Sequence, residues 1–126
     1  MDTQIDLVIF GARGDLANRK LFPALFWLDH ARLLADSVRI AAVARDDIDT
    51  SEFIKQTAKT LEPILANASS SEITWDRFSQ RFDYIKIDFA EAKQYATLAE
   101  WRNPDRTMIY YLATPPTLFG SISQYL

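Results

Sequence analysis

The stretch from Ile5 to Phe10 is apolar throughout after Asp6 and stops at Gly11, and this junction constrains the fold more than any other feature of the chain. A continuous apolar run of this length, ended by a glycine, is the pattern of a strand buried on both faces. It is followed at once by Gly11-Ala12-Arg13-Gly14-Asp15-Leu16-Ala17. A crowded apolar helix then carries Leu21, Phe22, Leu25, Phe26, Trp27 and Leu28, with Pro23 near the first turn of its main part. The chain has only three glycines, and two of them stand in this strand-to-helix turn. Gly11 permits the tight turn, Gly14 lets the backbone approach a pyrophosphate, and small Ala17 lets helix and strand pack closely. The unpaired amides of the helix start then face an anion. A glycine pair also serves ordinary tight turns; its place after a buried strand and before a helix is what favours a nucleotide. A Walker-type phosphate loop is excluded, because no Gly-Lys-Ser/Thr follows.

The same alternation runs down the chain. Val38 to Ala44 reads as a second buried strand, ended by Arg45-Asp46-Asp47. Thr50 or Ser51 caps a helix with Phe53, Ile54, Ala58, Leu61, Ile64 and Leu65 on its apolar side, bent at Pro63. Ser69-Ser70-Ser71 reads as loop and cap. Trp75, Phe78 and Phe82 give a short helix leading to a third strand at Tyr84 to Ile87, and Glu91 to Trp101 is helical again. After the turn Asn103-Pro104-Asp105, Thr107 to Leu112 is the fourth strand, and Pro115-Pro116 opens a helix. Strands alternating with helices predict an α/β fold, a Rossmann-like doubly wound sheet of mainly parallel strands with helices on both faces and right-handed crossovers.

Charge narrows the partners. The 126 residues carry a net charge of -3, so no broad basic face neutralises a nucleic-acid backbone and no polybasic run holds a membrane surface. Any phosphate must be held locally. The absence of cysteine excludes disulfides, thiolate chemistry and cysteine-ligated metal, and with no basic signal-like start the expected location is cytoplasmic. The cations are placed unusually. Arg13, Arg19 and Lys20 crowd the glycine loop and first helical turns, opposed nearby only by Asp15, although helix N-termini disfavour positive charge. An anionic ligand resolves that conflict. The second strand ends with Arg45, not with the acid that accepts bonds from ribose hydroxyls. An arginine there can grip a 2′-phosphate bidentately, with Arg13 closing from the other side, so the expected cofactor is NADP. Asp46 or Asp47 becomes the ribose acid if the strand ends a residue later; otherwise they are turn residues or a helix cap.

The run from Val8 to Leu25, with Gly11-Ala12-Arg13-Gly14-Asp15-Leu16-Ala17 followed by Arg19-Lys20-Leu21 and Pro23-Ala24-Leu25, closely resembles the opening of glucose-6-phosphate 1-dehydrogenases. Tyr110-Tyr111-Leu112-Ala113-Thr114-Pro115-Pro116-Thr117 is similar to a later stretch of that family. The resemblance implies a homo-oligomeric cytoplasmic enzyme of the oxidative pentose phosphate pathway, moving hydride from C1 of glucose 6-phosphate to NADP to give 6-phosphogluconolactone. It also implies that residues 11 to 17 hold the pyrophosphate, Arg45 the 2′-phosphate and Asp88-Phe89 the adenine side. Ala113 to Pro116 would lie beside the nicotinamide ribose, with Pro115 or Pro116 open to a cis bond. Lys20 lies by resemblance on the substrate side; as a residue it also reads as a solvated helix lysine. Arg13 departs from the small hydroxyl residue many members place there.

Residues 1 to 126 are thus expected to form an incomplete NADP-binding domain that binds coenzyme without turnover. The family's Glu-Lys-Pro segment, its Asp and His base pair and its sugar-phosphate lysines would all lie beyond Leu126. No catalytic residue and no metal ligand is expected within the chain, and His30 is a poor base beside Asp29 at a helix end. Three other readings compete, one of them a small α/β domain with no ligand. A short-chain reductase is disfavoured because no tyrosine has a lysine four positions on. A non-catalytic redox-sensing NADP module shares every feature of the glycine loop. The aromatic residues are assigned mostly to the core.

Overall fold

The computed structural model describes residues 4 to 126. Four strands, β1 (Ile5–Phe10), β2 (Arg39–Ala44), β3 (Phe82–Lys86) and β4 (Thr107–Leu112), form one sheet in the order β3-β2-β1-β4. Every pairing is parallel. Because successive side chains of a strand leave opposite faces, β1 and β2 feed two cores at once. Ile9, Ile40 and Ala42 enter one; Val8, Phe10, Ala41 and Val43 enter the other. Burial on both faces is why these two strands read as unbroken apolar runs. The edge strand β4 is covered less, and Ile109, Tyr110 and Tyr111 stay partly exposed.

Helices α1 (Phe22–His30), α2 (Thr50–Thr60), α3 (Glu62–Leu65) and α4 (Ser71–Ser79) serve the first core, through Phe22, Phe26, Phe53 and Phe78. Helices α5 (Tyr95–Trp101) and α6 (Phe119–Gln124) cover the other face, through Tyr95, Leu98 and Ile122. The doubly wound expectation therefore holds. Pro23 lies in the first turn of α1, where its missing N–H costs nothing.

Several boundaries differ from the sequence expectation for identifiable reasons. The cap of α2 is Asp49, whose carboxylate accepts the Glu52 amide at 2.8 Å; neither Thr50, Ser51, Asp46 nor Asp47 fills that role. The Thr50 hydroxyl instead accepts the Tyr84 amide at 3.0 Å, tying α2 to β3. Pro63 does not bend one helix but opens a separate short one, because α2 has already ended at Thr60. Ser70 precedes α4 in a left-handed conformation without a side-chain cap bond. β3 starts two residues earlier than Tyr84, since Phe82 is drawn into the sheet by its register with Ile40. Glu91 lies outside the helix, which opens as a tight turn at Ala92–Gln94 before α5. No helix among the described residues is long and apolar enough to cross a membrane.

Two buried ionic clusters were invisible to periodicity. Asp29 near the end of α1 is fully buried and meets Arg77 and Arg81. At the amino ends of the strands, fully buried Asp6 accepts bonds from Arg39, at 2.9 Å from Nε, and from Arg106. Arg39 also lies over the Trp101 ring at 4.2 Å.

Burial alone would raise the Asp6 pKa, but the hydrogen bonds and charges of Arg39 and Arg106 outweigh it and hold the carboxyl below its ordinary 3.8. A carboxylate whose folded pKa is depressed contributes stability above the unfolded value and loses it as pH falls through the folded one. The urea midpoint is therefore expected to fall from about pH 5 downward. Asp6→Asn, less stable at neutral pH, should show a shallower acid slope than the parent; identical slopes would remove Asp6 from the account.

Candidate dinucleotide site

β1 leaves the sheet and must turn within a few residues into the helix above it. Gly11 takes φ +84, a left-handed conformation that side chains disfavour. Its amide and that of Ala12 both donate to the Val43 carbonyl, at 3.0 and 3.1 Å, so the turn is pinned to β2. The end of β4 presses on it from the other side: a Cβ on Gly11 would lie 2.5 Å from the Ala113 carbonyl oxygen. Gly14 returns the chain, its amide donating to the Gly11 carbonyl at 2.9 Å. Asn18 then locks the loop, its side-chain amide donating to the carbonyls of Gly14, at 2.8 Å, and Ala12, at 3.2 Å. Residues 15 and 16 are already helical, a π-helical turn follows at Ala17–Leu21, and the chain continues into α1. The first amides of such a helix have no partner in the preceding turn and remain available to an anion.

All four strand ends meet over this turn. A cleft of about 490 Å³ is lined by Gly11, Arg13 and Gly14 after β1, Ala44, Arg45 and Asp46 after β2, Asp88, Phe89 and Ala90 after β3, and Ala113, Thr114, Pro115 and Leu118 after β4. Eight of the residues singled out in the sequence lie on this lining: Gly11, Arg13, Gly14, Arg45, Asp88, Phe89, Ala113 and Pro115. Ala12 and Ala17 are instead buried beneath the loop, where Ala17 packs in the same core as Ile9 and Ala42. Asp15 and Leu16 are exposed, and Lys20 is exposed on the helix away from the lining. Both peptide bonds to Pro115 and Pro116 are trans.

The charge pattern differs from the sequence picture in one respect. Arg13 Nε lies 3.2 Å from Asp46 Oδ2, and Arg19 lies 3.0 Å from Asp15 across one helical turn. Asp15 is thus not the sole acid near the loop; Asp46, 33 residues on, is brought to Arg13 by the β1–β2 pairing. Arg45 is exposed at the cleft rim. Tyr84 fixes the β2–α2 turn by donating its hydroxyl to the Asp46 carbonyl at 2.7 Å. Burial, with the Asp46 charge adding to it, pushes that phenol up to about 12. On the far wall the Asp88 carboxylate accepts the Ala90 amide at 3.1 Å, and Phe89 meets the Phe10 ring edge-on at 5.6 Å.

Sequence reasoning missed Asn18, Ala90 and Leu118, and it offered Asp46 only as a ribose acid if the strand ended a residue later. Asn18 was accessible in principle, standing one helical turn after Gly14. The Thr114 hydroxyl is buried beside the cleft without a protein partner. His30, held at 2.7 Å from the Thr74 hydroxyl and stacked on Phe26, has no place in the cleft.

Strand order turns back at β1, since β2 lies on one side of it and β4 on the other. Open parallel sheets take dinucleotides in the crevice outside the strand ends at such a reversal, so the class defined here is a dinucleotide-binding domain of the doubly wound α/β type. The chain belongs to the family described as Glucose-6-phosphate dehydrogenase, NAD binding domain, which matches residues 8–126. It is 38% identical over 124 residues to glucose-6-phosphate 1-dehydrogenase of Dickeya dadantii (strain 3937), covering 96% of this chain and 25% of that protein. With the Gluconobacter oxydans (strain 621H) enzyme it shares 36% over 125 residues, covering 96% and 26%. The crystal structure of glucose-6-phosphate 1-dehydrogenase from Mycobacterium avium superposes with a TM-score of 0.88 at 31% identity, over all of this chain and 27% of the other. A glucose-6-phosphate dehydrogenase in complex with its substrate superposes at 0.82 and 26% identity, over 99% and 27%. The chain spans about a quarter of the length of these curated relatives. Its family binds a nicotinamide dinucleotide.

Proposed function

We propose that residues 1 to 126 are the NADP-binding portion of a cytoplasmic glucose-6-phosphate 1-dehydrogenase, in which hydride passes from C1 of glucose 6-phosphate to NADP and 6-phosphogluconolactone forms. The observation that carries this reading is that Arg13 and Arg45, from two different strand ends, line one cleft together with the glycine turn. The residues present fit such a ligand. The first helical amides offer donors for a pyrophosphate, and the buried, unpartnered Thr114 hydroxyl offers another polar contact beside the cleft. Phe89 and Leu118 supply the apolar wall on which a planar base can rest. Ala113 to Pro115 would flank the nicotinamide ribose. The coenzyme, when bound, supplies the hydride-accepting ring; the chain's own residues bind and orient it.

We further propose that this chain holds coenzyme without turnover. Abstraction of a proton from a sugar hydroxyl needs a base within hydrogen-bond reach, and His30, the only histidine, is engaged by Thr74. Lys20, exposed on the helix that starts at the cleft, is assigned to the substrate side by resemblance alone.

The 2′-phosphate assignment is tested on this chain directly. If Arg45 supplies a charge-assisted bond worth about 1.5–3 kcal/mol, Arg45→Ala should weaken NADP about ten- to a hundredfold by calorimetric titration and leave NAD nearly untouched. Unchanged NADP affinity in that variant would refute the assignment.

A further inference from the structure

Asp46 stands where a 2′-phosphate gripped by Arg13 would have to go. Its carboxylate is the group that Arg13 already holds, at 3.2 Å, and both residues line the cleft next to Arg45. The neighbouring acid is directed elsewhere: the Asp47 carboxylate lies 3.7 Å from Lys86 and does not line the cleft. Nor can Asp46 leave by moving its backbone. Its carbonyl accepts the Tyr84 hydroxyl at 2.7 Å and the Ile48 amide at 3.0 Å, and Tyr84 is stacked on Phe53 of the core at 5.4 Å. Only the side chain of Asp46 is free to turn.

Resting on the reading of this cleft as the coenzyme site, we propose that Asp46 sets coenzyme selectivity by serving as a built-in rival of the 2′-phosphate for Arg13. The two dinucleotides meet it differently. A 2′-phosphorylated ribose must break the Arg13–Asp46 pair and then sit beside a displaced carboxylate of its own sign. A ribose with a free 2′-hydroxyl leaves the pair intact and can donate a hydrogen bond to the same carboxylate. Asp46 thus lowers affinity for NADP and supports NAD, so that the arginines' preference for the phosphate is tempered rather than absolute. Selectivity of this kind is a difference of two affinities, and a repulsive element shapes it as much as an attractive one.

The experiment titrates the 126-residue chain and its Asp46→Asn, Asp46→Ala and Asp47→Asn variants with NADP and with NAD by calorimetry. Loss of the competing charge frees one charge-assisted contact, so both Asp46 variants should raise the NADP-to-NAD affinity ratio about tenfold or more. The gain should come from tighter NADP and from equal or weaker NAD, with Asp47→Asn unchanged. A ratio within about twofold of the parent in both Asp46 variants, with dinucleotide still bound, would overturn the role of Asp46 and leave the cleft assignment standing. A parent chain that binds neither dinucleotide would overturn both.

Discussion

Gly11→Ala is expected to cost about 2–5 kcal/mol of folding stability and to abolish dinucleotide binding. Two independent costs add. The residue holds φ +84, where an L side chain loses about 1–2 kcal/mol. The new Cβ would also lie 2.5 Å from the Ala113 carbonyl oxygen, 2.9 Å from its carbon and 2.9 Å from Thr114 Cγ2, closer than real contacts allow. Two of those atoms are backbone, and Ala113 is tethered by its amide to the Phe10 carbonyl at 2.8 Å, so β4 cannot withdraw without losing its place in the sheet. Relief must come from the loop, which displaces Gly14, Arg13 and the helix start together. Gly120→Ala is the matched control: in α6, with nothing within 4 Å of the added carbon, it should be neutral or stabilising by up to about 1 kcal/mol. Equal midpoints in urea for the two variants would mean that the contact between β4 and the loop carries no such strain.

Arg81→Met is expected to destabilise by about 3–5 kcal/mol while leaving the cleft chemistry intact. Arg81 is only 6% exposed and spends all three nitrogens on the protein. Its Nε and Nη2 hold the two Asp29 oxygens at 3.2 and 3.1 Å, and its Nη1 donates to the carbonyls of Ala35, at 2.6 Å, and Val38, at 3.0 Å. Methionine fills much of the volume but takes two donors from the buried Asp29 carboxylate and the guanidinium donors from the carbonyls of Leu34, Ala35 and Val38. Arg77 still bonds Asp29 at 3.0 Å, which limits the damage. Lysine is not a rescue, because a point charge cannot reproduce the planar fork. Asp29→Leu combined with Arg81→Met should recover part of the loss, since no lone charge then remains buried. A double variant no more stable than Arg81→Met alone would assign the cost to the lost carbonyl contacts of Arg81.

How legible was this fold from residue order? The strands announced themselves because β1 and β2 are buried on both faces, and the glycine turn did so because Gly11 and Gly14 meet demands of backbone geometry that few residues satisfy. What stayed hidden depends on partners distant in the chain. Asp6 looked like a blemish in an apolar run; it is the acceptor for Arg39 and for Arg106, a hundred residues later. Asp29, read only as the neighbour of His30 at a helix end, is fully buried, because two arginines of the α4 region arrive to neutralise it. The α2 cap was misplaced because Asp49, Thr50 and Ser51 are all competent caps, and only the bond from the Tyr84 amide removes Thr50 from the contest.

The site divides in the same way. Gly11 and Gly14, chosen for backbone reasons, and Ala113 and Pro115, chosen by resemblance, lie on the cleft. Among the charged residues, Arg13 and Arg45 lie there too, but the Arg13–Asp46 pair could not be foreseen, since it depends on how the end of β2 is held against the glycine turn. Asp15 and Leu16, included because they fall within the motif, are exposed and do not line the cleft.

In the proposed complex a 2′-phosphate is held between Arg13 and Arg45. The most direct measurement compares backbone amide shifts of the chain saturated with NADP and with NAD. The two spectra should differ chiefly at Arg13, Gly14, Arg45 and Asp46, with Asp88 to Ala90 and Ala113 to Pro115 shifted alike by both. Spectra that coincide at the two arginines, or differ only at residues outside the cleft, would contradict it.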